Sequence, residues 1–397
     1  SKFGSKCWAR PFFFASMSGP MTSRPLRDSM SGFRQLRIGV LGAARHVPTS
    51  LLEPLKKNRD LSALIEVVAL ADQSEAESSA KKWGIKRAYA SIEELLADPE
   101  VDAVYNVLPL ALRCQASVLA LQAGKHVLSE APLCSNAREA VVLQRAAEDA
   151  GKVMLEGSHP SCHPVTKRLR EMVMEGKVGK VDRINVVLPV GITLYGSAVC
   201  AKVGALMGVG SYCVGLIRLL AGEEPRVISA AAMRSTEHPD VDVSISCDLA
   251  LPSGGVAHFS CSVNPEATED RPAAVTIRGC DGVIQANEWF LGKGKTANTI
   301  ALEMFENSGE KHVEILDTKN VDVRDTFYYQ LVGFADEIRR GGSQGMPWDY
   351  TMSRATPSDA VRNLALIDAI YRAAGFQPKA TLNPPAAPYD RIGLSKL

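Results

Sequence analysis

Short apolar runs alternate with amphipathic helical segments between residues 36 and 157, and this alternation constrains the fold more than any other feature of the chain. The runs predict buried strands near 36–42, 65–72, 87–89, 101–109, 126–128 and 153–155. Ser74, Ser91 and Asn136 are each followed three residues later by glutamate, a pattern typical of helix starts. Strands that alternate with helices at this spacing form a parallel sheet with helices on both faces. We therefore predict a doubly wound α/β domain over residues 36–157.

The pattern changes after residue 180, where strand-like runs succeed one another. These runs lie near 181–194, 226–235, 241–250, 254–264 and 271–286. Neighbouring strands of this kind predict an antiparallel sheet. Two later helices are predicted near 327–340 and 356–374. We expect a second α/β domain over 158–377 with an open, largely antiparallel sheet. Its last helix would return to the first domain, and a tail would follow over 378–397.

Composition argues against several classes of function. The 397 residues carry a formal net charge of +1, so no overall field attracts nucleic acid or an anionic membrane. The nine cysteines are scattered, without a C-x-x-C pair or the spacing of zinc ligands. This indicates reduced, packing cysteines rather than a disulfide framework or a metal site. No apolar run approaches the roughly 20 residues that a membrane-spanning helix needs.

Residues 1–35 differ in composition from the rest of the chain. This leader holds six lysines and arginines, many serines and a single acid, Asp28. Such a composition is typical of organellar transit segments. We expect a mitochondrial or plastid location, on the matrix or stroma side, for a soluble or peripheral protein. The leader would then lie against a partner, and the alternative is a solvated or tag-derived extension.

A glycine turn follows the first predicted strand. Such a turn, between a strand and a helix, aims backbone N–H groups at a pyrophosphate. The strict fingerprint would place glycines at 42, 44 and 47, but only Gly42 remains, beside Ala44 and Val47. Asp72 ends the second strand, where a carboxylate binds the adenosine ribose and favours NAD over NADP. The alternative is that Asp72 only caps the turn before Ser74.

Longer motifs give the chain a family resemblance. They are Gly42-Ala43-Ala44-Arg45, Gly124-Lys125-His126-Val127-Leu128-Ser129-Glu130, Glu156-Gly157-Ser158-His159, Gly204-Ala205-Leu206-Met207, Tyr329-Gln330-Leu331 and Asp359-Ala360-Val361-Arg362-Asn363. With them, residues 36–377 resemble the glucose–fructose oxidoreductase and inositol dehydrogenase family (Gfo/Idh/MocA), in its dihydrodiol and xylose dehydrogenase branch. The resemblance implies a Rossmann domain for NAD or NADP and an open α/β domain whose sheet often forms a dimer interface. The implied cofactor-binding residues are Gly39, Gly42, Ala44, Arg45, Asp72, Pro109 and Glu130.

Several working positions of the family hold other residues here. The family's Glu-Lys-Pro motif appears as Glu130-Ala131-Pro132, so the lysine that positions the substrate hydroxyl is absent. Gly208 stands where the family has aspartate, although Tyr212, the acid/base of the dihydrodiol branch, remains. The family's Pro-Asn-x-x-His segment appears as Pro109-Leu110-Ala111-Leu112-Arg113. An ordinary phenol has a pKa of about 10, so Tyr212 needs a neighbouring cation to act as a base near neutral pH.

Other side chains could replace what is missing. Arg113 or Lys202 could supply a cation, and His159 or His163 could act as a base. Each has a plainer interpretation: Arg113 begins a helix face, Lys202 lies in a solvated loop, and the histidines make structural hydrogen bonds. Tyr212 itself could be a core tyrosine with a satisfied hydroxyl.

From these losses we predict a family member without turnover, in which Tyr212 is the remnant of a degraded catalytic site. It would serve as a structural or accessory subunit of an organellar assembly, bound to other proteins or paired as a homodimer through the second sheet. NAD or NADP would be its cofactor if one binds, and no metal is expected. The alternative is an active NAD(P)-dependent dehydrogenase acting on CH–OH groups of a sugar, polyol or diol. A third class is a module that senses a cofactor or metabolite.

Overall fold

A six-stranded parallel sheet organises the first half of the chain. The computed structural model describes residues 34–190, 203–263, 272–292, 299–305, 311–315 (the strand alone), 324–341 and 355–383, so the leader up to residue 33 and Lys202 lie outside the described residues. The strands are β1 (Leu36–Leu41), β2 (Ile65–Ala71), β3 (Arg87–Tyr89), β4 (Ala103–Asn106), β5 (His126–Glu130) and β6 (Met154–Gly157). Their order is β3-β2-β1-β4-β5-β6, which confirms the doubly wound prediction. The order reverses between β1 and β4, where the carboxyl ends of the strands open a crevice.

Helices cover this sheet at positions close to the predicted ones. They are α1 (Glu53–Lys57, preceded by a π-helical turn over Pro48–Leu52), α2 (Arg59–Leu64), α3 (Ala76–Trp83), α4 (Ile92–Ala97), α5 (Leu110–Gln122) and α6 (Ala137–Ala150). The side chains of Ser91 and Asn136 accept hydrogen bonds from the N–H groups three residues ahead, so both predicted caps are confirmed. The predicted cap at Ser74 is wrong, because its N–H and hydroxyl both donate to Asp72 and α3 begins at Ala76.

An eight-stranded mixed sheet organises the second half. Its strands are β7 (Val181–Pro189), β8 (Arg226–Arg234), β9 (Asp242–Ala250), β10 (Val256–Ser262), β11 (Ala274–Gly279), β12 (Gly282–Asn287), β13 (Thr299–Met304) and β14 (Lys311–Ile315). The order is β14-β13-β12-β11-β7-β10-β9-β8, and neighbours are antiparallel except for the parallel pair β7 and β10. The prediction of a largely antiparallel sheet is confirmed, although β13 and β14 were not anticipated.

One face of this second sheet packs on helices. The helices of this half are α7 (Pro164–Met174), α8 (Ser211–Ala221, preceded by a π-helical turn over Leu206–Gly210), α9 (Thr326–Arg339) and α10 (Pro357–Ala373). Alternate residues of β7, Ile184, Val186 and Leu188, are fully buried, and α8 contacts β7 and β10. Each such side chain contributes roughly 1.5–3 kcal/mol through burial. The packing fixes α8, the helix that carries Tyr212, against the sheet.

The two halves of the chain contact each other in two places, through α9 and the residues just before it and through α10. Asp60 of α2 accepts hydrogen bonds from Arg324 at 2.6 and 2.7 Å and from the Tyr328 hydroxyl at 2.6 Å. At the second contact α10 packs on α6, where the Ala137 N–H donates to Asp368 Oδ2 at 3.3 Å. The last helix therefore lies against the helical layer of the parallel sheet. Among the residues that the structure describes, no helix has the length and apolarity to span a membrane.

Candidate active site

The glycine turn lies where the parallel sheet opens. Gly42 has a φ of 99°, and a Cβ on it would lie 3.2 Å from Leu108 Cδ2, so glycine is required by both backbone and space. Its N–H donates to the Ala71 carbonyl at 2.8 Å. The N–H groups of Ala44 and Arg45 donate to no acceptor in the described part of the chain. Two open backbone donors ahead of a helix start are suited to bind phosphate oxygens.

The other predicted glycine has a different surrounding. Gly39 lies inside β1, and a Cβ there would lie 2.7 Å from Leu95 Cδ2 and 3.2 Å from Val101 Cγ1. Its small size lets α4 pack closely on the strand. The structure does not bring Gly39 to the crevice, whereas Gly42, Ala44 and Arg45 lie at the turn itself.

A cavity of about 410 Å³ adjoins the ends of β2 and β4, and we call it the β2–β4 cavity. Its lining includes Asp72, Ser74, Glu93, Pro109 and Gln115. None of the described residues that line it is a lysine or an arginine. Two of the predicted cofactor-binding residues, Asp72 and Pro109, therefore share one cavity.

Asp72 holds the turn between β2 and α3. Oδ1 accepts from the N–H groups of Ser74 and Glu75, and Oδ2 accepts from the Ala43 N–H at 2.9 Å. Burial alone would raise the pKa of Asp72, but these hydrogen bonds outweigh it and lower the pKa below the usual value. Asp72 is therefore anionic at neutral pH and joins the two loops of the crevice. The turn-capping alternative describes these contacts, while ribose binding stays a prediction.

Glu130 connects the end of β5 to the glycine turn. Its Oε1 accepts a hydrogen bond from the buried Tyr105 hydroxyl and lies 3.4 Å from His46 Nε2. Burial would raise the pKa of Glu130, but His46, Arg113 and Tyr105 lower it to about 2. The Glu130 carboxylate thus holds the glycine turn in position through its contact with His46.

Arg113 is buried rather than displayed on a helix face. It lies in the first turn of α5. The sequence predicts this helix over Gln115–Ala123, but it begins at Leu110. Its Nε donates to the Leu108 carbonyl at 2.9 Å, and Nη1 donates to the carbonyls of Glu130 and Pro132 at 3.2 and 2.8 Å. The plainer interpretation, in which Arg113 only begins a helix face, is incomplete, because α5 starts early and its first turn brings the guanidinium to the end of β5.

Tyr212 belongs to a buried aromatic group, which we call the Tyr212 cluster. Its ring centroid lies 5.0 Å from Phe290 and 5.4 Å from His159, and His159 lies 4.2 Å from Phe327. Tyr212 is 4% exposed. The cluster gathers one phenol and one imidazole in an apolar setting, where charges are weakly screened.

The two histidines make structural hydrogen bonds, as their plainer interpretation predicted. His163 Nδ1 accepts from the Val165 N–H, so Nε2 carries the proton and donates to the Arg324 carbonyl at 3.2 Å. Burial lowers the pKa of His163 to about 4, which keeps the ring neutral. His159 Nδ1 lies 2.8 Å from the Thr326 hydroxyl. Both nitrogens of His163 are occupied, which leaves it no role as a base.

The helix that carries Tyr212 is held by the Asp359–Asn363 motif of α10. Arg218 of α8 is fully buried and makes two hydrogen bonds to Asp359, at 2.8 and 3.0 Å. Asn363 Nδ2 donates to the carbonyl of Ser211, the residue before Tyr212, at 3.3 Å. The family resemblance in this motif therefore reflects a structural role: Asp359 and Asn363 hold the helix that carries Tyr212.

Three of the positions that depart from the family pattern, Ala131, Gly208 and Leu110, differ in their surroundings. Ala131 is partly exposed and joined to Pro132 by a cis peptide bond. Gly208 is half-buried, and a Cβ there would have no neighbour within 4 Å. Leu110 is buried in the core. Space for a longer side chain thus remains at Gly208 but not at Leu110.

Sequence reasoning missed His46 and Tyr105. Both contact Glu130, from the glycine turn and from β4 respectively. His46 directly follows the turn motif, so its place was a usable signal. Tyr105 lies inside an apolar run, where nothing distinguishes it from an ordinary core residue. Among the described residues no group of histidine, cysteine and acid side chains could hold a metal ion, and the cysteines there form no disulfide with one another.

Comparison with known proteins agrees with this geometry. Residues 36–158 match the model of an oxidoreductase family with an NAD-binding Rossmann fold, and residues 166–285 match the GFO/IDH/MocA C-terminal domain. The chain is 29% identical to a D-xylose 1-dehydrogenase (NADP(+)) of Haloferax volcanii, over 85% of this chain and 97% of the relative. It is 30% identical to the trans-1,2-dihydrobenzene-1,2-diol dehydrogenase of Bos taurus, over 56% of this chain and 65% of that protein.

Solved structures share the fold. A 3-ketoreductase from Actinomadura kijaniata, in complex with NADP, superposes with a TM-score of 0.70 at 23% identity, covering 86% of this chain and 98% of the other. Levoglucosan dehydrogenase, in complex with NADH and levoglucosan, superposes with a TM-score of 0.72 at 16% identity over the same shares.

The expectation of a structural subunit without turnover is contradicted by these comparisons. The relatives and the structural neighbours are dehydrogenases and reductases, and the likeness to the xylose dehydrogenase spans almost its whole length. The losses at 131, 208 and 110 were expected to outweigh any replacement by Arg113, yet Arg113 contacts the backbone on both sides of position 131. Matched in both of its domains, the chain belongs to the GFO/IDH/MocA oxidoreductase family.

Proposed function

We propose that this protein is an NAD(P)-dependent oxidoreductase that interconverts a CH–OH group of a sugar, polyol or diol with the corresponding carbonyl. The observation that carries the proposal is the contact chain from the glycine turn to the region of Tyr212. His46 follows the turn and contacts Glu130, and the Glu130 carbonyl accepts from Arg113. Burial lowers the pKa of Arg113, while Glu130 and then Tyr212 raise it. A dinucleotide lying along the crevice would thus bring its reactive end toward a buried phenol.

The residues present fit a dinucleotide. The open N–H groups of Ala44 and Arg45 would hold the pyrophosphate, and Gly42 leaves the backbone accessible. The β2–β4 cavity would hold the adenosine, beside Asp72 and Pro109. When bound, the nicotinamide supplies the hydride acceptor or donor.

The chain's own residues must handle the proton. Oxidation of a carbinol releases the hydroxyl proton as the hydride leaves carbon, and Tyr212 Oη is the group we assign to receive it. In the reverse direction the same phenol returns the proton to the carbonyl oxygen. The rings of Phe290 and His159 pack against Tyr212 and exclude water, which strengthens electrostatic effects on the phenol.

We further propose a preference for NAD. Asp72 is held anionic in the β2–β4 cavity, Glu93 also lines it, and no cation among the lining residues offsets them. A 2′-phosphate would meet these carboxylates, whereas a ribose hydroxyl could donate to Asp72. The xylose dehydrogenase relative carries NADP(+) in its name, so cofactor choice is a point on which this chain would differ from it.

The partner and location expectations stay predictions. For the homodimer we propose the outer face of the eight-stranded sheet, where Ile228 and Met233 of β8 are more than half exposed. Sedimentation with and without Met233→Glu tests it, since a dimer through this face would dissociate in the variant. An organellar location rests on the composition of the leader alone, and import of a leader–reporter fusion tests it.

Titration with NADH and NADPH, followed by energy transfer from protein fluorescence to the nicotinamide, tests the proposed function. Binding of at least one cofactor below about 100 µM would be ordinary for such an enzyme, because KM values cluster between 1 µM and 1 mM. Turnover is then assayed on pentoses, hexoses, polyols and trans-diols. Absence of binding at millimolar cofactor, or binding without turnover on any CH–OH substrate, would overturn the proposal.

A further inference from the structure

Arg113 lies directly against the segment in which the family's lysine is missing. Its Nη1 donates to the carbonyls of Glu130 and Pro132, the two residues that flank Ala131. The guanidinium is therefore within hydrogen-bonding distance of the backbone on both sides of position 131. A cation has been lost from one side chain of this segment, and another cation reaches the same segment from α5.

The guanidinium retains its positive charge and part of its donor capacity. Arginine has five N–H donors. Nε and Nη1 use three of them on backbone carbonyls, and Nη2 makes no hydrogen bond with any residue the structure describes, although it is not sealed from solvent. Arg113 also forms no ion pair within those residues, and its side chain is 9% exposed. A buried cation acts more strongly on nearby groups than an exposed one, because the interior screens charge less than water does.

The titratable groups around Arg113 come from several elements. Burial lowers the pKa of Arg113, while Glu130 of β5, Tyr212 of α8, Tyr105 of β4 and Glu156 of β6 raise it. The Glu130 carboxylate is already engaged by Tyr105 and His46, and burial raises the pKa of Glu156 to about 7. Of these groups, Tyr212 is the one that the proposed function assigns to receive the substrate's proton, so a positive charge near it bears directly on the reaction.

We propose that Arg113 supplies the positive charge of the reaction site, in place of the lysine absent at position 131, and stabilises the phenolate of Tyr212. This rests on the proposed function and goes beyond it by assigning the cation. In oxidation the substrate O–H bond breaks and its proton passes to Tyr212 Oη, while the hydride passes to the nicotinamide. Arg113 gains and loses no proton, and acts as a positioning residue through Tyr212.

A charge swap tests the assignment. Arg113→Met should lower kcat/KM by about 10²- to 10⁴-fold, the range for loss of positioned acid–base assistance. It should shift the pH–rate profile upward by at least one unit and change the Kd for NADH less than threefold. Adding Ala131→Lys to that variant should recover at least tenfold in kcat/KM. Arg170→Met is the matched control, because Arg170 also donates to a backbone carbonyl, at 2.8 Å, but on α7 away from this segment.

A second measurement is independent of turnover. Ultraviolet titration of tyrosinate, taken as the difference between each protein and its Tyr212→Phe partner, isolates one of the nine tyrosines. The midpoint should rise by at least one unit in Arg113→Met and stay in place in Arg113→Lys. An unmoved midpoint, or Arg113→Met activity within threefold of wild type, would overturn the assignment while leaving the proposed function intact. A wild type without turnover that shows the expected midpoint shift would overturn the function and support the charge placement.

Discussion

The β2–β4 cavity and the Tyr212 cluster use opposite means to prepare for a ligand. At the cavity, the carboxylates of Asp72 and Glu93 are part of the lining, and Asp72 connects it to the glycine turn by accepting from the Ala43 N–H. At the cluster, buried rings surround the phenol, and the positive charge that we propose for it comes from Arg113, a residue on another element. The first region depends on the path of the main chain, and the second depends on which side chains converge.

This difference determines how much substitution each region tolerates. A turn that binds through N–H groups tolerates the change from glycine to Ala44, since alanine keeps the donor. A reaction centre that needs a cation tolerates the loss of lysine at Ala131 only if a cation arrives from elsewhere in the chain. Comparing motifs position by position can therefore predict the cofactor-binding turn correctly and still predict the wrong outcome for the reaction centre.

The comparison is tested most strongly at Tyr212. Tyr212→Phe removes the proton acceptor, so we expect kcat/KM to fall by about 10²- to 10⁴-fold. The Kd for NADH should change less than twofold, because the β2–β4 cavity is untouched. Steady-state kinetics with fluorescence titration measure both quantities.

Tyr89→Phe is the control for that variant, since it removes a hydroxyl that donates to Asp98 at 2.9 Å outside the cluster. Its kcat/KM should stay near that of the wild type. If Tyr212→Phe weakened cofactor binding and spared turnover, the roles assigned to the two regions would be reversed.

His163 separates folding from catalysis in the second region. Burial lowers its pKa to about 4, below the ordinary value of about 6.5, so the unfolded chain binds the extra proton first as pH falls. The free energy of unfolding should therefore drop between pH 6.5 and 4, by roughly 3 kcal/mol from this group. His163→Asn keeps a capping acceptor, does not titrate, and should flatten that part of the stability profile.

Urea unfolding at pH 7, 5.5 and 4.5 measures the effect, with the exposed His238→Asn as control. The pH profile of kcat/KM should not move in His163→Asn, because both ring nitrogens are committed to the backbone. A displaced activity profile would make His163 part of the proton path and contradict the structural role given to it.

Asp72 offers a smaller test at the cavity. Asp72→Asn removes a unit charge from the adenosine end, where a pair of charges near a protein surface interacts by about 1 to 4 kcal/mol at 4 Å. We expect the ratio of NADPH to NADH affinity to rise about tenfold or more. Glu75→Gln is the matched control, since Glu75 is an exposed acid three residues on that does not line the cavity. Equal shifts in both variants would mean that general surface charge, rather than Asp72, sets the preference.

The sequence was sufficient for the order of elements because periodicity and capping are local. Strands β1 to β6 and the caps at Ser91 and Asn136 follow from residues a few places apart. The start of α5 was misjudged because no capping side chain marks it: the helix was predicted only from Gln115, but it begins at Leu110, directly after Pro109. Because α5 begins at Leu110, its first turn brings Arg113 against the backbone carbonyls on both sides of position 131.

The candidate site was predictable only in part, for a related reason. Gly42 and Asp72 reveal themselves by their place at strand ends. The roles of His46 and Tyr105 depend on a contact with Glu130 across 84 and 25 residues of chain, which no local pattern encodes. Whether the loss of one charged residue abolishes activity can therefore be decided only when the positions of the other charged residues in the fold are known.

Gly208→Asp is the finest test of this view, and its expected effect is the smallest. Position 208 has room for a Cβ and lies in a helical turn, so aspartate should change the free energy of unfolding by less than about 1 kcal/mol. If Arg113 already supplies the charge that Tyr212 needs, restoring the family's carboxylate should alter kcat/KM less than threefold. Gly208→Ala separates the effect of a Cβ from that of the charge. A tenfold gain in kcat/KM with aspartate and none with alanine would show that the missing carboxylate still limits the reaction, and that rearrangement around Arg113 is incomplete.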